Sequence, residues 1–460
     1  MSYNMKELPH YIDTAGKITV ITALFGVIVF AVVFLLNIGA NEFHQVQAQG
    51  LATTTVTVLN TPPQWTVDAQ EEFESSATNP TNSGSVVSWI ATATDSNNED
   101  YYLLLCSSPD APTANSSAAP SCPVGSTTWA VSPLTNSGSQ ARAATTTTEA
   151  FAEQNNWYAW VCDSTLVNPR CNATYKQGTG TTTSPFNVNH RPVFTAFWDN
   201  SPKLPGQVVT FTATSSDPDV VPTNDTVKLI VCSTNSFSTS TNSCAATTLA
   251  SSSLSASNPT ATYTVPIPTQ DQNYNSFGFV IDNHGHEASG GSQGTDSTLT
   301  VSNAAPFVLG GNITLNGGAD LSLTQEATQT TGFTLSYTAT DNNSCVNASA
   351  GNEITDYKLT VYRSGIGTST CNGTGANYNP NNCYDSAVAT STWNLTCTAS
   401  STSCTGNTDT TQIWNCSFPL WYIADPTDGS ATNTVHFSED WKAAVTPIDD
   451  DGASSTLSQG

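Results

Sequence analysis

Five acidic side chains sit in two short turns with the spacing that a hard cation uses: Asp95, Glu99 and Asp100 in one, Asp217 and Asp219 in the other. Carboxylate oxygens this close in sequence can wrap one calcium ion, which takes only oxygen ligands. The competing reading needs no ion, because Asp in a T-D-S-N or S-D-P-D turn accepts hydrogen bonds from its own backbone. No EF-hand loop is present. His284 and His286 stand beside Asp282, but their place at the tip of a hairpin makes them exposed turn residues rather than zinc ligands. The chain has no G-x-S-x-G elbow, no H-E-x-x-H, no phosphate-binding glycine loop and no supported carboxylate pair. A non-enzymatic protein is the expectation.

The other reactive residues are twelve cysteines. Cys106, Cys122, Cys162 and Cys171 fall in a first stretch, Cys232 and Cys244 in a second, and Cys345, Cys371, Cys383, Cys397, Cys404 and Cys416 in a third. Even numbers in each stretch and no C-x-x-C point to disulfides in an oxidising compartment. Closeness in sequence pairs 106 with 122, 162 with 171, 232 with 244, 371 with 383 and 397 with 404, leaving 345 for 416. The first and third of these staple Ser/Asn-rich excursions that show nothing apolar to hold them down.

The elements around these residues repeat. An N-x-x-P step recurs at Asn60, Asn189 and Asn303, at intervals of 189 − 60 = 129 and 303 − 189 = 114 residues, the size of one β-sandwich. Each interval holds an early strand (86–95, 208–217, 333–341), a second strand (100–106, 226–232, 356–362) and a late strand (157–163, 276–282, 441–449). All alternate in the two-residue period of a sheet with one buried face. The late strand runs into an Asp/Asn/Gly hairpin tip, and a Q-G step then leads to a final strand at 181–188 and 296–301. The third repeat stops at Gln459-Gly460, while residues 52–59 (ATTTVTVL) have the composition of a final strand ahead of the first repeat. Rings at Trp89, Trp160, Phe211, Tyr263, Phe279 and Tyr337 read as sandwich cores.

Residues 18–38 carry no charge and are long enough, at roughly 30 Å, to cross a bilayer. Lys6 and Lys17 precede them and Glu42 follows, which puts the N-terminus inside and the bulk outside; a long signal sequence cleaved after Ala48 is the alternative. The expected organisation is a cytoplasmic 1–17, a membrane helix at 18–39, a spacer with a strand at 40–59, and sandwiches at 60–188, 189–302 and 303–460. Eleven Lys+Arg against 36 Asp+Glu, in a chain only 10% charged, give a net charge of −25 and a Ser/Thr/Asn surface that repels phosphates. Nucleic acid is therefore excluded as a partner.

The x-T-A-T-x-D strand ends, the D-x-x-G hairpin and the Val-x-Asn-x-x-Pro step resemble the tandem immunoglobulin-like or cadherin-like modules of bacterial surface proteins. That resemblance implies an all-β fold of tandem immunoglobulin-like sandwiches behind one membrane helix, and a stalk or adhesin at the cell surface whose partners are other surface proteins or cell-wall glycans. Calcium-binding members place acidic residues at the domain junctions. Here Asn60, Asn189 and Asn303 have no adjoining Asp or Glu, so calcium, the one cofactor in view, is expected in the turns and not at the junctions. Two alternatives are a carbohydrate-binding receptor module and a filament subunit in which residues 52–59 of one molecule complete the third repeat of the next.

Overall fold

A computed structural model describes residues 59–460 except 324–329, 350, 372–377, 389–394 and 428–434. Residues 60–460 form one compact unit. The apolar segment 18–38 and the strand-like residues 52–58 lie outside the described residues. Among the described residues no helix is long and apolar enough to cross a membrane.

From Asn60 onward the fold is all-β, with three separate cores that follow the N-x-x-P steps. One core runs from Ala69 to Val188, the next from Phe194 to Val301 and the last from Val308 to Val445. Each lies between two small antiparallel sheets, the immunoglobulin-like arrangement. In repeat 1 the early strand Val86–Thr94 sits between Gln64–Glu71 and Gln140–Thr146, while the second strand Tyr101–Cys106 sits between Tyr158–Asp163 and Thr128–Val131. Repeat 2 builds the same pair around Val208–Ser216 and Val227–Cys232. Repeat 3 builds it around Thr330–Thr340 and Ile354–Arg363. Val209, Phe211 and Ala213 show why the early strand forms: alternate residues enter the core, and the threonines between them face outward.

The second strand is buried on both faces. Leu103 and Leu105 enter the main core, whereas Leu104 points outward with Cys106, Trp160 and Cys162, under the disulfide-linked excursion. The same layer recurs in repeat 2, where Phe237 stacks on Phe279 at 5.0 Å between ring centres. The excursions are thus held by apolar contacts as well as by sulfur, contrary to the sequence expectation.

Six disulfides are present. Cys106–Cys122, Cys162–Cys171, Cys232–Cys244 and Cys371–Cys383 join neighbours in sequence. The remaining four cysteines pair differently from the expectation, as Cys345–Cys404 and Cys397–Cys416. The reason is register: Cys397 and Cys416 lie directly opposite each other on the paired strands Thr396–Ala399 and Thr411–Trp421, with Cα atoms 3.9 Å apart. The final strand of repeat 2 is split into Thr295–Asp296 and Leu299–Thr300. In repeat 3, Gln459 pairs with Ala444 of the late strand.

Candidate cation sites at the repeat junctions

Each repeat opens on an asparagine whose side chain is held the same way. Asn60 Nδ2 donates to Asp163 Oδ2 at 2.9 Å, Asn189 Nδ2 to Asp282 Oδ2 at 2.8 Å, and Asn303 Nδ2 to Asp449 Oδ2 at 3.0 Å. The acceptor is every time the last residue of the late strand. The aspartate just past the early strand folds back on its own turn in all three repeats. Asp95, Asp217 and Asp341 each accept, through Oδ1, the N–H two residues on, from Asn97, Asp219 and Asn343 at 2.6, 2.9 and 2.8 Å. Those three side chains in turn accept the N–H that follows the junction asparagine, from Thr61, His190 and Ala304 at 3.2, 2.6 and 2.5 Å. Three separate segments of chain so converge on one station, which is built three times.

What is left over also repeats. The Oδ1 atoms of Asn60, Asn189 and Asn303 and the Oδ2 atoms of Asp95, Asp217 and Asp341 are buried without a hydrogen-bond partner. The amides are not reversed, because Asn189 Nδ2 serves both Asp282 and Asn82 Oδ1 (2.9 Å), and Asn60 Nδ2 serves both Asp163 and the carbonyl of Asn168 (3.0 Å). Each unmatched buried acceptor costs about 1–3 kcal/mol. Further carboxylates crowd the same places. Single oxygens of Asp95, Glu99 and Asp163 lie within 4.8 Å of one another, as do those of Asp217, Asp219 and Asp225. In repeat 3 the buried Glu353 leaves Oε1 unpartnered, and Asp271 from repeat 2 adds its charge to those of Asp341, Asp449 and Asp450.

The electrostatics are those of anions lacking a counter-ion. Burial first, then Asp282, Asp219 and Asp225, raise Asp217 to about 7. Burial, then Asp449 and Asp271, raise Asp341 to about 7, and Glu353 is pushed to about 8 by burial and by Asp271, Asp450, Asp341 and Asp449. Burial also lifts Asp95 and Glu99, with Asp163 adding to both. Protein cations answer only part of this. His190 Nδ1 lies 2.6 Å from Asp219 Oδ1; burial works against its charge, but this contact and the bond to the Phe151 carbonyl raise its pKa overall.

Of the residues singled out in sequence, Asp95 and Glu99 meet with Asp163 in place of Asp100, and Asp217 and Asp219 are joined by Asp225. The junction asparagines, set aside for want of an acidic neighbour, lie against the acidic groups after all, because the strand ends bring the carboxylates to them. The signal was present as the fixed recurrence of the asparagine, the T-A-T-x-D ending and the late-strand aspartate. His286 is not an exposed turn residue: it is buried, its Nε2 lies 2.8 Å from Ser83 Oγ of repeat 1, and burial, then Arg191, lower its pKa to about 4. His284 Nε2 stands 3.4 Å from Asp225 Oδ2. Trp89, Trp160, Phe211, Phe279 and Tyr337 are buried as expected, while Tyr263 is only half-buried.

No protein-family model matches the chain, and no curated protein sequence does. Among solved structures, a marsupial T cell receptor is 7% identical with a TM-score of 0.29, covering 82% of this chain and 95% of its own. The mouse nectin-like molecule 4 ectodomain is 9% identical with a TM-score of 0.28, covering 83% and 94%. The Yersinia pseudotuberculosis adhesin InvE is 15% identical with a TM-score of 0.19, covering 52% and 67%. Likeness at that level carries no argument about function. The two-sheet cores and their connections themselves make this a tandem immunoglobulin-like fold, consistent with a non-enzymatic protein.

Proposed function

We propose that the chain is a non-catalytic surface stalk of adhesin type, anchored through residues 18–38 with residues 60–460 outside the cell, that calcium binds at the three stations, and that at those of Asn189 and Asn303 it sets the angle between successive repeats. The observation that carries this is the threefold recurrence of the same two buried, unpartnered oxygens, one on the junction asparagine and one on the early aspartate. An all-oxygen donor set rich in carboxylates and carbonyl-type oxygens suits a hard, geometrically tolerant cation, calcium before magnesium. The residues that would hold it are Asn60, Asp95, Glu99 and Asp163; Asn189, Asp217, Asp219, Asp225 and Asp282; and Asn303, Asp341, Glu353, Asp449 and Asp271. Because each group includes the junction residue, binding would tie the linker to the sandwich that follows. Titration calorimetry should give calcium dissociation constants of about 0.1–1 mM, the range of extracellular modules. Spin labels in repeats 1 and 3 should show a narrow distance distribution with calcium and a broad one with EDTA. No binding heat, together with identical distributions, would refute the reading.

A further inference from the structure

Repeat 2 lacks an aromatic plug that repeat 1 carries. In repeat 1 the rings of Trp129, Phe151 and Phe186 close one end of the sandwich, with Trp129 at 5.3 Å from Phe151 and 5.2 Å from Phe186, and Trp157 packs in the same core. Strand register identifies the matching positions. Ala130 pairs with Leu105 as Ala250 pairs with Val231, which puts Leu249 where Trp129 stands. Tyr158 pairs with Cys106 as Phe277 pairs with Cys232, which puts Ser276 at Trp157. Phe186 pairs with Asn155 as Leu299 pairs with Tyr274, which puts Leu299 at Phe186 and Gln270 at Phe151. Repeat 3 keeps a ring at the Trp157 position: Tyr362 pairs with Lys442, so Trp441 is the match.

The missing rings leave a cleft of about 550 Å³, within the size range of small-molecule sites. Its lining includes Leu249, Leu299, half-buried Tyr263, Asn273, Tyr274 and Asn275 of repeat 2 and Asn407 and Thr408 of repeat 3. The contributions of both repeats are fixed. The Tyr274 hydroxyl donates to the Gln270 carbonyl at 3.1 Å, and Gln270 Nε2 donates to the Val346 carbonyl of repeat 3 at 3.0 Å. The loop carrying Asn407 is tied by Cys345–Cys404 and by the Cys345 N–H to the Asp409 carbonyl at 2.8 Å.

None of the described residues lining it is charged, in a chain of net charge −25. Side-chain amides offer a donor and an acceptor side by side, the match for adjacent hydroxyls, and tyrosine faces take the C–H side of a sugar ring. We propose that this cleft between repeats 2 and 3 binds a neutral saccharide, at a site beside the third cation station and sharing none of the residues that would hold the cation. The test is calorimetry of the full chain in detergent against cellohexaose, maltohexaose and chitohexaose, with hexagalacturonate as the acidic comparison. At least one neutral oligosaccharide should bind and the acidic one should not. Asn407→Ala, in an exposed loop, should weaken binding about ten-fold. Leu249→Trp, which restores the plug of repeat 1, should abolish it with the melting temperature kept. The proposal is overturned if no neutral oligosaccharide binds, if the acidic one binds equally well, or if Asn407→Ala binds like the unaltered chain.

Discussion

The amide nitrogen of Asn189 stands 2.8 Å from Asp282 Oδ2 and 2.9 Å from Asn82 Oδ1, so one buried side chain ties repeat 1 to the late strand of repeat 2. Removing it leaves both acceptors short of a donor and takes Oδ1 from the station. Asn189→Ala should therefore cost about 1–3 kcal/mol of stability and weaken calcium binding at that junction. Asn189→Asp adds a charge beside Asp217 and Asp282. It should lower the melting temperature strongly in EDTA and recover part of the loss in calcium. Equal losses under both conditions would mean that Asn189 is a junction strut and not a ligand.

A second prediction concerns pH and lies away from the stations. Glu71 is buried, accepts from Ser75 Oγ at 2.6 Å and from Trp157 Nε1 at 3.0 Å, and is raised to about 7, chiefly by desolvation. A folded pKa above the unfolded one means that the folded state holds the proton more tightly. The resulting stabilisation is complete below about 4.5 and is lost as pH rises through about 7. Urea unfolding followed by tryptophan fluorescence should show repeat 1 weakening over that interval. Glu71→Gln, neutral at every pH and still able to accept from Trp157, should flatten this dependence; an unchanged slope would assign the effect elsewhere.

Local pattern made the strands legible and left the stations hidden. Alternation in 208–217 gave the early strand because only one face is buried, and four of the five short cysteine pairs followed from closeness in sequence, the exception being 397 with 404. Leu104 and Trp160 show the limit: their burial under the excursion depends on a second layer that the strand period does not encode. The junction asparagines show a deeper one, since Asn189 and Asp282 are 93 residues apart and meet only once the late strand has returned to the linker. The cleft was invisible for the same reason. A leucine at 249 reads as an ordinary strand residue until register sets it against Trp129.

The revised disulfides in repeat 3 have a direct check. Non-reducing peptide mapping should recover Cys345 linked to Cys404 and Cys397 linked to Cys416. Recovery of 397–404 and 345–416 would contradict the register of Thr396–Ala399 against Thr411–Trp421. The first bond closes a loop with a sequence separation of 59, worth about 4 kcal/mol on the chain-entropy estimate. Cys345→Ser with Cys404→Ser should lower the unfolding temperature of repeat 3 and free the loop that bears Asn407, weakening saccharide binding as well.

Asp271 gives the sharpest separation between a cation site and a merely acidic surface. It belongs to repeat 2, yet burial and the charges of Asp451, Asp450 and Asp449 raise its pKa, and it contributes in turn to the raised values of Asp341 and Glu353. Without a cation this is repulsion across the junction, only partly offset by Asn343 Nδ2 donating to the Thr269 carbonyl at 3.1 Å and by Gln270 Nε2 on Val346. Under the proposed calcium binding the same carboxylate would become a ligand or a close counter-charge. Asp271→Asn should consequently act with opposite signs: stabilising in EDTA, where it removes a like charge, and weakening calcium binding several-fold, so that the stabilisation gained on adding calcium shrinks. Calorimetric scans of both proteins, with and without calcium, read all four states. A substitution that stabilises equally in both buffers would reduce the third station to unrelieved repulsion and remove the cation from that junction.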